Sequence, residues 1–288
     1  MASEIDTGGS SSEMIAAEIV SKFVIPAAYG PTTVLKLVKH MDMTGRNSLV
    51  SSHTKWPDLT SSVSDRTDGS DLSNSDIDAA QISATVGSTG LMATVTDLFI
   101  AASVTSFQEV GTQLGYAIGQ DIESKLCAEF ADFTTDVGAT TVNLSWDNWL
   151  SAVYSIENAG LLDRGQIISV LHPIQVSDLR TAVADETGTP LTMTDTSGLF
   201  KIGAVWECLG VPIYSSRRCA SVNTNADRRG AIMPRGDGCP IIFTRMWDPK
   251  VELQRDASMV AYELVATAAF GDECIDQAGG FGVLSDHE

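Results

Sequence analysis

Residues 48–95 constrain this chain more than any other stretch, because they pattern as a ribbon that cannot cover its own faces. Ser48–Trp56 reads as a strand closed by Pro57. Gln81–Val86, continuing past Gly87–Gly90 into Leu91–Val95, reads as its return. Between them Asp58–Asp78 is a polar excursion rich in Ser, Asp, Thr and Gly. An isolated two-stranded ribbon is at best marginally stable in water. Such an arm is expected to lie against something else, and in a homo-oligomer that surface is a neighbouring copy.

Charge gives the arm a sign. Asp58, Asp65, Asp68, Asp71, Asp76 and Asp78 stand against Arg66 alone. Residues 217–255 reverse the balance: Arg217, Arg218, Arg228, Arg229, Arg235, Arg245, Lys250 and Arg255 outnumber Asp227, Asp237, Asp248 and Glu252. A negative projection and a positive region elsewhere suit head-to-tail contact between copies. Two solvated loops would give the same counts. The chain as a whole carries a formal charge of −19, the wrong sign for tight phosphate binding. A container whose wall must not grip its polymer is compatible with it.

The remaining elements alternate irregularly, as in an α+β fold, without repeated βαβ units. After a polar arm, Glu13–Ala28 has helical spacing, ended by Pro26 and Gly30-Pro31. Thr33–Val38 (TVLKLV) reads as a strand before a turn at Thr44-Gly45. Ser106-Phe107-Gln108-Glu109 fits a capping box that opens the clearest helix, running to about Phe133. Gly111, Gly115 and Gly119 stand four apart on one face of it. Each costs up to about 1 kcal/mol of helix propensity, so three in register predict a close backbone approach. Ser145 caps a helix over Trp146–Asn158, and Gly160 ends it. Gln166–Leu171 is an apolar strand, and His172-Pro173 turns it into a helix reaching about Val183, followed by a loop at Asp185–Ser197. Short strands are expected at Gly203–Leu209, Val211–Ser215, Ala231–Pro234 and Ile241–Arg245. Lys250–Arg255 and Met259–Phe270 read as two long antiparallel strands, with a helix as the alternative for the second.

Catalytic and metal chemistry find little support. His40, His53, His172 and His287 lack metal-ligand spacing, and none sits near a nucleophile elbow. His172, at a strand end, is the one candidate for catalysis; a helix-start histidine is the plainer reading. Gly87–Gly90 lacks the lysine of a phosphate loop, and Gly279–Gly282 leads into no helix, so both read as turns. Asp71, Asn74, Asp76 and Asp78 lack the glycine and glutamate that complete a calcium loop. Cys127, Cys208, Cys219, Cys239 and Cys274 show no zinc spacing, and an odd number without a signal peptide argues against a disulfide framework. They read as thiols in a reducing compartment. No catalytic residue, cofactor or metal is assigned, and no stretch approaches the roughly 18 apolar residues of a membrane span.

The order of these parts resembles one family, the major capsid proteins of tailed bacteriophages with the Hong Kong 97 fold. Met14–Gly30 resembles the N-terminal helix, Ser48–Val95 the extended E-loop and Phe107–Phe133 the spine helix of the peripheral domain. Trp146–Gly160 and QIISVLHPIQVSDLR (Gln166–Arg180) resemble the start of the axial domain. IGAVWECLGVPIYSS (Ile202–Ser216) and RRGAIMPRGDG (Arg228–Gly238) resemble its later strands, and KVELQRDAS (Lys250–Ser258) the return into the peripheral domain. The resemblance implies five segments: an arm and helix (1–30), a strand and E-loop (31–97), a peripheral part with the spine (98–145), an axial domain (146–245) and return strands (246–288). It also implies a non-enzymatic subunit that forms the hexamers and pentamers of an icosahedral shell around double-stranded DNA. Assembly would take place in a host bacterial cytoplasm, and the location would be the virion. A portal, a separate scaffolding protein (about a dozen residues precede the first helix) and a decoration protein are the partners it suggests. Lys55 lies at the base of the arm, away from its tip, so a covalent E-loop crosslink is not carried over. The alternatives are an encapsulin-like compartment shell and, in another class, a small β-rich hydrolase using His172.

Overall fold

The computed structural model describes residues 20–56, 77–102, 106–187, 206–208, 210–222 and 227–286, with residues 63, 65, 68, 69 and 71 between the first two; of 106–107, 182–187, 206 and 208 it describes the backbone alone. A helix over residues 20–29 (α1) runs through Pro26 and stops at Gly30, whose amide bonds Pro26 O at 2.8 Å. The strand expected at Thr33–Val38 is displaced. Val34–Lys36 is a 3₁₀ turn, and the strand begins at Lys39 (β1, Lys39–Asp42). The reason is tertiary: the Glu123 carboxylate accepts from the Thr33 and Val34 amides at 3.0–3.1 Å, a helix-start geometry that overrides β propensity.

β2 (Val50–Lys55) and β3 (Ala80–Thr85) pair antiparallel, from Val50 opposite Thr85 to Lys55 opposite Ala80. They form a two-stranded sheet of their own. β4 (Gly87–Thr96) follows, and here the expected glycine turn fails. Gly87–Gly90 are extended and pair with the strand over residues 267–270. A Cβ on Gly90 would lie 2.7 Å from Ala266 O, so only glycine lets that neighbour approach. A short helix, α2 (Asp97–Ala102), was not foreseen.

α3 (Ser106–Ala128) continues as a 3₁₀ turn through Asp132, close to the expected end. The Ser106 side chain of the expected capping box lies outside the described residues. Leu114, Ile118, Ile122 and Leu126, one i, i+4 row, are all buried. β5 (Asp136–Gly138) leads to α4 (Trp146–Asn158), whose Ser145 Oγ accepts from the Asn148 amide at 3.2 Å as the cap signal predicts. β6 (Ile167–Leu171) is buried at every residue, and α5 (Pro173–Thr187) starts at the proline. The remainder of the expected Asp185–Ser197 loop, past Thr187, is outside the described residues. β7 (Trp206–Cys208), β8 (Val211–Ser215), β9 (Ser221–Val222) and β10 (Asp227–Pro234) follow.

Ile241–Arg245 and Lys250–Arg255 are one strand, β11 (Ile241–Asp256). Its register slips between Arg245 and Lys250, where Pro249 cannot donate to the ladder. β12 (Ala261–Cys274) is a strand, which removes the helical alternative. The Gly279–Gly282 turn ends early, because Phe281–Ser285 forms a final strand, β13.

The strands make two larger sheets. One has order β1-β11-β12-β4; the other runs β5-β13-β10-β6-β8-β7, with β9 paired to β10. The segment boundary drawn at 245/246 therefore falls inside β11. β13, expected with the return strands, lies in the second sheet between β10 and β5. α1, α3 and the first sheet enclose one apolar core, which also takes in Ile168, Val170 and Tyr214 from the second sheet. α4 and α5 cover another face of that sheet around Trp149, Leu171 and Ile213.

Candidate functional site

The ribbon is packed at its root and tied by one ion pair at Lys55, while most of its other side chains are exposed. Ser51 and Ala84 are buried, and the Ser51 hydroxyl meets Met41 Sδ and His53 Nε2 at 2.9 Å. Gly271 of β12 approaches so closely that a Cβ there would stand 2.4 Å from Thr85 O. Beyond that contact β2 and β3 are largely exposed. Trp56, Val63 and Ile77 are 68 %, 82 % and 59 % exposed, so three apolar side chains of the ribbon have no cover within the described residues. Asp65, Asp68, Asp71 and Asp78 are exposed, while Asp58, Arg66 and Asp76, with Asn74, lie outside the described residues.

At the end of the β2–β3 pairing, Lys55 Nζ reaches Asp276 at 2.5 Å, and Arg164 Nη1 reaches the other carboxylate oxygen at 2.5 Å. Burial alone would raise the Asp276 carboxyl. The hydrogen bonds from Arg164 and Lys55 outweigh it and hold the group below the ordinary carboxylate range. This bridge joins the ribbon, the turn after α4 and the β12–β13 connection. Lys55 is thus an ion-pair partner within its own chain.

The spine helix is held by backbone proximity. Built on the glycine backbones, a Cβ would stand 3.0 Å from Val20 Cγ1 at Gly111, 2.3 Å from Val24 O at Gly115 and 2.2 Å from Ala28 O at Gly119. α1 therefore lies in a groove only glycine can form. Next along α3, the buried Glu123 joins three parts. It caps Val34–Lys36, as above, and accepts from Ser216 Oγ at 2.9 Å, at the end of β8. Nothing in the pattern around Glu123 marks it; an acidic residue on the apolar side of a predicted helix is the one signal that could have.

The predicted arginines differ in exposure and pairing. Arg217 and Arg218 are exposed beside a polar cleft that also includes Thr33, Tyr116 and Gln120, and Arg218 bonds the Gln120 side chain. Arg229 is spent inside the chain on Asp136, at 2.8 Å. Arg228 and Arg235 are half-buried in and after β10. Arg255, further along, pairs with both oxygens of Asp97 at 2.5 and 2.7 Å and lies over the Tyr262 ring. That pair braces a hairpin tip where Leu98, Phe99, Met259 and Val260 are exposed. Val260, β-branched, has φ 51°, a strained backbone.

A carboxylate cluster, also unforeseen, gathers where α3 runs into β12. Burial, then Asp272 and Asp132, push the Glu129 carboxyl up to about 8; burial likewise raises Asp272 and Glu273. His172 is a cap: its Nδ1 accepts from the Ile174 amide at 3.3 Å, and its own amide donates to Gln175 Oε1 at 3.0 Å. Among the described residues no cluster of His, Cys, Asp or Glu is arranged to hold a metal ion, and no helix is long and apolar enough to cross a membrane.

No family model and no curated protein matches the sequence. Solved structures do. A Mycobacterium phage Che8 chain aligns over 88 % of this chain and 90 % of its own at TM-score 0.64 and 15 % identity. The mature capsid of bacteriophage PhiM1 aligns over 88 % and 87 % at TM-score 0.63 and 13 % identity. A virus-like particle from Pyrococcus furiosus aligns over 92 % and 98 % at TM-score 0.57 and 13 % identity. The chain shares the α+β fold of these structures, the Hong Kong 97 type.

Proposed function

We propose that this chain is the major shell subunit of a tailed phage, assembling with copies of itself into an icosahedral capsid around double-stranded DNA. The observation that carries the reading is the ribbon: its root is built into the subunit, while its outer part presents Trp56, Val63 and Ile77 to solvent in a chain with a capsid-subunit fold. Apolar side chains so placed are covered when a neighbour's ribbon, spine or cleft meets them. Hexamers and pentamers follow from one fold placed in two symmetries. In this reading the subunit acts by binding, and His172 serves to cap a helix.

The contact we assign between copies is electrostatic in part. The exposed ribbon aspartates Asp65, Asp68, Asp71 and Asp78 meet Arg217 and Arg218 of a neighbour, with Asp58, Arg66 and Asp76 belonging to the same ribbon. Arg228, Arg229 and Arg235 contribute less, since Arg229 is already paired within its chain. A scaffolding protein, a portal and a decoration protein are further partners of this reading, and the virion, assembled in the host cytoplasm, is its location. Electron microscopy and light scattering of the purified protein test it. Closed megadalton shells are expected; a monodisperse species near 30.6 kDa at high concentration would overturn it.

A further inference from the structure

The ribbon root turns on three side chains. The buried Ser51 hydroxyl donates its one proton to Met41 Sδ at 2.9 Å. His53 Nε2, 2.9 Å from the same oxygen, is therefore the N–H donor, and Nδ1 is the nitrogen left to take up a proton. β1 thus grips β2 through a relay that ends on a half-buried imidazole.

The surroundings oppose a charge there. His53 lines a cleft between ribbon and body with Lys55, Arg164, Asp237, Cys239 and Asp276. Asp276 is already spent on Lys55 and Arg164, and Asp237 is exposed to water. Burial keeps the Cys239 thiol neutral, pushed up to about 12. From β1, Lys39 lies on the same side of its strand as Met41, toward the ribbon. Cations outnumber anions around the ring, and a proton on His53 finds no free partner. Burial, then Lys39, hold the imidazole below the ordinary histidine value.

We propose that His53 makes the ribbon root an acid-sensitive hinge, in which proton uptake loosens β2 from β1 and leaves the Lys55–Asp276 ion pair as the second hold. The linkage has one sign. The docked root binds the proton less tightly than a root lifted into water. Docking is therefore complete above the ordinary histidine range and weakens as pH falls from there to the depressed docked value. Asp276 yields only further down, below the carboxylate range, so hinge and ion pair release in separate windows. Mild acid loosens the ribbon while the sheets of the body stay closed. The inference concerns one chain and does not depend on the shell reading.

Amide hydrogen exchange of the full chain, read by mass spectrometry as protection factors, tests the hinge. Between about pH 7.5 and 5.5, bracketing the ordinary histidine value, protection of Val50–Lys55 and Ala80–Thr85 should fall severalfold. The buried β6 should keep its protection. His53→Gln retains an N–H donor for Ser51 but cannot titrate, so its ribbon should hold the neutral-pH protection throughout. Asp276→Asn should lower protection at both pH values and retain the fall. Exchange at the histidine C2 carbon titrates the imidazole in the wild-type chain and decides by itself should a variant fail to fold; His53 should titrate below the ordinary value. The proposal is overturned by ribbon protection that ignores pH, by the same fall in His53→Gln, or by a His53 that titrates at or above the ordinary value.

Discussion

The second sheet and the ribbon are built from similar strands and reach opposite ends. β6 buries all five residues between β10 and β8, under α4 and α5. β3, of nearly the same length, buries one. In the sheet each apolar side chain finds its cover inside the chain. In the ribbon only the root does, through Ser51, Ala84 and Gly271, while the outer part is exposed apart from the Lys55–Asp276 ion pair. One region stores the stability of the chain; on the proposed function, the other stores its capacity to associate. Substitutions should separate these two quantities.

The largest effect on the subunit is expected in the glycine groove. Gly119→Val places carbon where the backbone of Ala28 stands, so α1 must leave α3. A loss above about 4 kcal/mol is expected, read as a missing thermal transition or insoluble protein. A normal midpoint would break the comparison, since α1 would then not be part of the stable body. Trp149→Ala comes next. The side chain is fully buried, and its Nε1 donates to Ser169 Oγ at 3.2 Å. Denaturant unfolding should register a loss of about 3–5 kcal/mol.

Two charged sites at the margins give smaller, pH-dependent effects. Glu129 has its folded pKa raised from 4.5 to about 8, so the folded state binds the extra proton. Stability should fall as pH rises through this window, by about 1 kcal/mol after allowing for solvent screening. Glu129→Gln should flatten the thermal midpoint between pH 5 and 9 (range chosen about the shift); an unchanged slope would remove the cluster from the account. Asp276 runs the other way. Its carboxyl is held down, so its stabilisation is present above the ordinary carboxylate range and lost as pH falls through the depressed folded value. Asp276→Asn should cost about 1 kcal/mol and expose the ribbon to protease near Lys55, which limited digestion would detect.

The ribbon aspartates close the series. Asp65→Lys, Asp68→Lys and Asp71→Lys together should change subunit stability by no more than about 0.5 kcal/mol yet abolish shells under the microscope. Normal particles from that variant would mean that the charge pattern is only a solvated surface.

Much of the local structure was readable. The Ser145 cap, the His172-Pro173 helix start, the buried QIISVL strand and the long α3 depend on neighbours within a few residues, where period and capping chemistry act. The failures share a cause. Thr33–Val38 became a 3₁₀ turn because Glu123, some ninety residues away by sequence, took its amides. Gly87–Gly90 became strand because β12 lies alongside. Phe281–Ser285 became strand because β10 and β5 each left an edge open. The arginines looked alike in the sequence, and only the fold put Asp136 beside Arg229 while leaving Arg217 in solvent.

By itself the sequence determined most of the helices, the Ser145 cap, most strands, the glycine row and the polar composition of the arm, since each is decided by short-range sterics and solvation. The tertiary structure alone decided which glycines touch backbone, which carboxylates become nodes and which charges are spent. Those depend on distances between residues far apart in the chain, and no local pattern encodes such a distance.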